Sequence, residues 1–362
     1  MPQMQFRRCG KHSAQLRRRE CARRAAAAPT KDAFIANALE LVPLTVAPIE
    51  KLKGEQQQAV DQLSTAQMPT RADESFRFTN LSTLLENRLQ PPSAVPNVHT
   101  LASIPQISGD AARLVFSNGQ ADLEASSLQA LPDSMYVGSL SGAPAEAQAA
   151  LGRISSQQGG VFTWLNAATA ADVQVCYLPA GVQCPVPLHI VSVSASASEA
   201  GHAVMYSPRL LVVAEENAKV EVVEEFVGQA GEGKYFMNSV SEMVLDQNAS
   251  VAHRLVQTEA DGAFHIKSTF VQQEQSSSYE LVEARLGGQL SRCVSPVPLQ
   301  PSTVHHHNAS VSLRNLPCML LGFLRWCLFS LMQRSGGRCC MQSCGCASLS
   351  MSRKMWFVRY IT

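Results

Sequence analysis

Three stretches decide the fold: Pro208-Arg-Leu-Leu-Val-Val-Ala-Glu-Glu-Asn-Ala-Lys-Val-Glu-Val-Val-Glu-Glu-Phe226, Met243-Val-Leu-Asp-Gln-Asn-Ala-Ser-Val-Ala-His-Arg-Leu-Val256 and Thr269-Phe-Val-Gln-Gln-Glu-Gln-Ser-Ser-Ser-Tyr-Glu-Leu-Val282. Each is an apolar-alternating run rich in Val, Leu, Phe and Tyr, the pattern of a β-strand. Each is broken by a small polar corner whose residues tolerate tight bends. The corners Asn217-Ala218, Asn248-Ala249 and Gln275-Ser276 align, with separations of 31 and 27 residues. Val220 and Val222 alternate with charged residues, and a one-residue phase slip precedes Glu224 and Phe226. A unit of this kind has an apolar face that only a stacked neighbour buries. No helical pattern separates the runs, which excludes a doubly wound sheet. A β-helix or a β-sandwich remains, and the period near 30 residues favours the β-helix.

Working outward, the net charge of +1 conceals three unlike segments. Residues 1–30 hold eight Arg or Lys and one acid, Glu20. Residues 31–292 hold 15 basic and 28 acidic residues, and residues 293–362 hold seven basic residues and no acid. An acidic core has the wrong sign for phosphate binding, so no nucleic-acid partner is expected. Cys176 and Cys184 are the only cysteines between residues 31 and 292, which points to a reducing compartment without a disulfide framework.

The Arg-rich, Ala-containing leader has no apolar core and reads as an organelle transit peptide over residues 1–30. A helical pattern follows from Asp32 to Leu63, broken at Pro43 and Pro48. Residues 31–110 are read as a helical N-terminal region and 111–292 as the coil.

Several motifs then occur in one order. Pro69-Thr70-Arg71 leads to Glu74, Phe76, Arg77, Phe78 and Thr79. Val115-Phe116-Ser117-Asn118-Gly119, Phe162 to Ala168 with Asn166, Pro187-Leu188-His189-Ile190, Pro208-Arg209 and Gly287-Gly288-Gln289-Leu290-Ser291-Arg292 follow. Together they resemble the SufB/SufD family, and its SufD branch most. The resemblance spans roughly residues 68–292. It implies a mainly β protein, a right-handed parallel β-helix with a helical N-terminal region. It implies a scaffold subunit of a SufBCD-type complex that assembles iron–sulfur clusters and transfers them to apoproteins. It implies SufB-like and SufC-like partners, with ATP hydrolysis in the SufC-like one. With the leader, it implies the chloroplast stroma. The family residues Pro69, Thr70, Arg71, Glu74, Arg77, Asn118, Gly119, Asn166, Pro208, Arg209, Gly287, Gly288, Ser291 and Arg292 are expected to be structural. No catalytic, cofactor or metal residue is assigned, and a cluster is expected only transiently and at the level of the complex.

The family pattern is expected to stop at Arg292. Seventy residues without Asp or Glu are improbable in a soluble domain. Residues 293–362 therefore read as an irregular, disordered tail foreign to the family, of the kind a retained intron, a frameshift or a gene-model error produces. Binding of the SufC-like ATPase is expected to be lost with the family's C-terminal region.

The remaining constellations have bland readings. His305-His306-His307 with Cys293 and Cys318 matches no zinc spacing, and Cys339, Cys340, Cys344 and Cys346 fall in the tail. Leu320 to Met332 is too short to span a bilayer, so no membrane partner is expected. His189, His253 and His265 are read as satisfied core histidines, and Cys176 and Cys184 as buried free thiols. Glu74 and Arg77 are expected to form an i,i+3 ion pair. Glu215-Glu216 and Glu224-Glu225 are read as a solvated rim, which weighs against the alternative of a β-helix carbohydrate-active enzyme, since that chemistry clusters carboxylates. A non-catalytic interaction protein is the other alternative. Phosphate-binding G-x-x-x-x-G-K-[ST] and nucleophile G-x-S-x-G motifs are absent.

Overall fold

The computed structural model describes residues 32–42, 49–92, 111–117, 120–195, 199–229, 233–295, 305–313 and 359–361. The leader, Asn118, Gly119, Leu320 to Met332 and the four late cysteines lie outside them. Helix α1 spans Ala33–Glu40 and α2 spans Glu50–Thr65. Asp32 starts α1: its carboxylate accepts from Phe34 N and Ile35 N, and from Met68 N at 3.1 Å. A short α3 (Ser82–Leu85) leads into strand β1 (Arg88–Gln90), which already belongs to the coil. The N-terminal region is thus not purely helical.

Strands β2 (Ala112–Ser117) and β3 (Gln120–Ser127) form an antiparallel hairpin. Strand β4 (Tyr136–Ser139) and helices α4 (Ala145–Ala150), α5 (Ser155–Gln158) and α6 (Val161–Thr169) follow. The regular coil then runs through β5 (Gln174–Leu178), β6 (Leu188–Ser194), β7 (His202–Tyr206), β8 (Arg209–Ala214), β9 (Lys219–Gly228), β10 (Tyr235–Leu245), β11 (Ser250–Glu259), β12 (Ala263–Gln273), β13 (Ser278–Gly287) and β14 (Leu290–Val294). Successive strands alternate between two sheets, with β7 and β8 together forming one pass through the first, and each pairs in parallel with the strand one turn away. The result is a parallel β-solenoid of about 3 turns.

Register fixes the turn length. Val240 lies opposite Arg209, and Tyr235 opposite Ala263. Ser250 lies between Lys219 and Ser278. Asn217, Asn248 and Ser276 occupy the left-handed backbone region at φ 60°, 58° and 59°. The third corner therefore pivots on Ser276 itself, one residue later than the sequence alignment placed it. Ser occupies a conformation that Asn and Gly adopt more readily.

The Arg292 boundary falls inside β14. Strand β15 (His305–Leu313) continues the stack, pairing in parallel with β13 from His305↔Ser278 to Leu313↔Leu286. The alternation in Ala309-Ser-Val-Ser-Leu313 carries this strand, a local signal that the missing acids obscured. Strand β16 (Arg359–Ile361) pairs antiparallel with β15.

Both faces of the first sheet are buried. Val212, Met243, Leu245, Val271, Tyr235 and Tyr279 are among the residues that fill the space between the sheets. Phe236, Phe264, Ile266 and Leu290 face outward, under α1, α2 and α6. Each such aromatic or aliphatic side chain contributes about 1.5–3 kcal/mol of burial. Helices α4 to α6 lie within the sequence range read as coil because this second apolar face needs a roof. Among the described residues no helix is long and apolar enough to cross a membrane.

Candidate functional site

The family motifs converge where the helical roof meets the coil. Pro208 breaks the strand between β7 and β8, and its carbonyl accepts from Asn166 Nδ2 of α6 at 3.0 Å. Asn166 Nδ2 also donates to Asn238 O, while Asn238 Nδ2 donates to Phe162 O, both at 2.8 Å. Arg209 leaves β8 under the roof, 3% exposed. Its Nη2 donates to Glu242 Oε1 at 2.8 Å and to Ser155 Oγ at 2.9 Å. Glu242 also accepts from Gly152 N and Ser155 N. A buried ion pair with this many bonds locks helix to sheet.

Two motifs far apart in sequence also meet. Arg292 Nη1 donates to Thr79 Oγ1 at 3.0 Å, and the guanidinium lies 4.2 Å from the Phe76 ring centre. Phe76 packs in turn near Phe162. Gly287 (φ 78°) sits so close to Glu259 O that a Cβ there would lie 2.1 Å from it, which explains a glycine. Ser291 Oγ donates to Gln257 Oε1 at 2.6 Å. Thr70 takes Asp73 Oδ2 through both its N–H and hydroxyl. The expected Glu74–Arg77 ion pair is not among the described ion pairs. Residues 74–76 form a 3₁₀ turn that points both side chains to solvent, and Arg77 lies 5.6 Å from the exposed Phe78 ring. Pro69 is half-buried and Arg71 exposed, so most of this signature projects from the fold.

The coil interior holds what the sequence reading missed. Strand β9 runs without a phase slip, so Glu224 faces inward with Val220, Val222 and Phe226. Glu224 and Glu225 are 5% and 0% exposed, which corrects the solvated rim; of the four glutamates only Glu216 is fully exposed. Lys267 Nζ lies 3.0 and 2.8 Å from the Glu224 oxygens and also reaches Ser241 Oγ. His253 Nε2 is 2.8 Å from Glu224 Oε2, and its Nδ1 is 2.8 Å from Tyr279 OH. A carboxylate only accepts, so Nε2 carries the hydrogen that faces Glu224. Burial raises the pKa of Glu224, but the Lys267 charge and the His253 bond outweigh it and hold the carboxyl well below its usual range. Burial, with Glu224 nearby, pushes the Tyr279 hydroxyl well up.

A second line runs Ser239 Oγ, His265 Nε2 (2.9 Å), His265 Nδ1, Glu259 Oε1 (2.7 Å). Tyr235 OH donates to the other Glu259 oxygen. The order of groups is that of a catalytic triad. Ser239 is 1% exposed and His265 0%, so the line is closed to a substrate. His189, on the outer face, is paired to Glu225 at 2.8 Å. All three histidines are thus satisfied and buried, as the sequence suggested.

Cys176 and Cys184 are free thiols, Cys176 buried and Cys184 half-buried. Burial raises both pKa values, and burial beside Glu283 pushes Cys293 up to about 12. Such thiols are protonated and unreactive at neutral pH. Among the described residues no group of three His, Cys, Asp or Glu is placed to hold a metal ion.

Coil, roof and joint define a parallel β-helix protein with a helical N-terminal cover. The chain belongs to the SufB/SufD family of the SUF system of iron–sulfur cluster assembly. Residues 44–190 match the SufBD protein N-terminal region, and residues 195–315 match the SufBD core domain. The core match extends past Arg292, in step with β15. The chain is 33% identical over 272 residues to the chloroplastic protein ABCI7 of Arabidopsis thaliana, covering 71% of this chain and 54% of the relative. It is 31% identical over 252 residues to an iron–sulfur cluster assembly SufBD family protein of Synechocystis, covering 67% and 55%. A 91-residue stretch is 30% identical to the iron–sulfur cluster assembly protein SufD of Plasmodium berghei, covering 25% and 7%. The chain spans about half the length of the two longer-matching relatives.

Proposed function

We propose that the chain acts as a SufD-like scaffold subunit of a SufBCD-type complex in the chloroplast stroma, with residues 1–30 as its transit peptide. A SufB-like chain is its pairing partner, and a separate SufC-like subunit hydrolyses ATP. Iron–sulfur clusters are cargo, assembled at the level of the complex and passed to apoproteins. The observation that carries this reading is the joint at Arg292, Phe76 and Thr79. It brings the two ends of the family motif series together across 213 residues, an arrangement that needs the whole intervening fold. The protonated thiols and closed polar interior suit a scaffold better than a chain that does chemistry alone.

Co-expression of the tagged chain with SufB-like and SufC-like subunits tests the proposal. Recovery of the SufB-like subunit, and cluster reconstitution on the recovered assembly, are the expected results. Recovery of neither partner, or polysaccharide cleavage by the isolated chain, would sink it.

A further inference from the structure

The buried polar network takes one residue from each of five consecutive strands: Glu224 from β9, Ser241 from β10, His253 from β11, Lys267 from β12 and Tyr279 from β13. Nothing in the proposed scaffold role uses these groups, yet burying them costs desolvation. Their placement answers a problem that a repeated coil creates. The backbone ladder between parallel strands is blind to sequence. The three corners share one conformation, and their cross-turn bonds repeat: Asn217 N to Gln247 O and Asn248 N to Gln275 O, both 3.0 Å. Apolar ladders such as Val220, Val251 and Tyr279 stack about equally well in several orders. Neither device distinguishes the next turn from the one after it, or from a turn of a second chain.

The polar network does. The position of His253 is taken by Val222 in β9 and by Leu281 in β13. The position of Lys267 is taken by Ser239 in β10 and by Cys293 in β14. Only one order of strands brings an imidazole and an ammonium to Glu224. An order that skips a turn leaves its carboxylate, 5% exposed here, buried against Leu281 and a thiol.

We propose that this network is a strand-order key, which selects the single stacking order of the coil against orders that skip a turn or pair non-equivalent turns of two copies of the chain. A single buried polar group fixes register in coiled coils by the same logic. Out-of-order pairing, within one chain or between two, is the failure that a repeated fold without such a key invites.

The test replaces the key with apolar groups of similar size in the full chain: Glu224→Leu, Ser241→Ala, His253→Leu, Lys267→Met and Tyr279→Phe together. A second variant, Glu224→Gln with Lys267→Met, removes both charges with less repacking. Each is refolded from urea beside the parent, then examined by light scattering after size exclusion and by thermal melting. The expected result is a Tm equal to or above the parent's with a fraction of misassembled oligomer about tenfold higher, the population change that ~1.4 kcal/mol of lost discrimination produces. If one variant fails to fold, the other decides. The proposal is overturned if folded variants show the parent's oligomer distribution, or if neither variant regains a cooperative melt, which would make the network a source of stability alone.

Discussion

Substituting Glu242→Gln should cost about 3 kcal/mol of stability, because it breaks the clamp between roof and coil from one side. The carboxylate is 0% exposed, and the Arg209 side chain that it faces is 1% exposed. Gln keeps the shape and one acceptor oxygen. It loses the charge opposite Arg209, whose other carboxylate, Glu55, stands at 4.0 Å. Removing one partner of a buried pair costs ~3–5 kcal/mol, and the retained acceptor places this case near the lower end. For a domain of this size, ~3 kcal/mol lowers Tm by about 6–12 °C. Urea titration measures it directly: the midpoint should fall while the m-value stays constant. Adding Arg209→Met should recover about 2 kcal/mol, because the uncompensated charge then disappears, and a double-mutant cycle reads that coupling. A loss below ~0.5 kcal/mol for Glu242→Gln, or a coupling that small, would refute the account of the clamp.

Ser276→Gly should stabilise the coil by up to ~1 kcal/mol, since it relieves a side chain at positive φ, and Ser276→Val should destabilise it by more than that; thermal melts of the pair rank them. The pH dependence follows from Glu224. Its folded pKa is depressed, so its contribution is fully present above the unfolded carboxyl value, about 4.3, and is lost as pH falls toward the folded value. The urea midpoint should therefore decline below about pH 4, less steeply in Glu224→Gln; equal slopes in the two proteins would contradict this. Cys293, with a pKa pushed up to about 12, should resist iodoacetamide at pH 8 in the folded protein and react readily in urea, as read by peptide mass spectrometry. Equal labelling in both states would remove it from the coil interior.

Much of the fold was legible in short-range pattern. Alternation with a period near 30 residues identified the coil, because a strand's side chains alternate with period two whatever surrounds it. The motif series identified the family, and Pro43 and Pro48 separated the two helices of the roof. The candidate site was legible only as a roll of residues. Nothing in the spacing of Arg292 and Thr79 says that they touch, since contact across 213 residues depends on how many coil turns lie between them. Arg209 and Asn166 likewise gain their meaning from Glu242 and Asn238, 33 and 72 residues away in the chain and adjacent in space.

The sequence by itself determined that the core is a repeat of strands broken by corners, and which family it belongs to. All of this rests on local preference and on patterns that survive in one dimension. Only the tertiary structure decided which face of each strand is inside. In Phe264-His-Ile-Lys-Ser-Thr-Phe270 the apolar phase suggests one buried face. In the structure the helical roof buries Phe264 and Ile266, and Phe270 packs against Ile154 and Val240, while His265 and Lys267 turn into the coil. A charge tolerates that position only because its partner arrives from another turn, and no local rule encodes the partner.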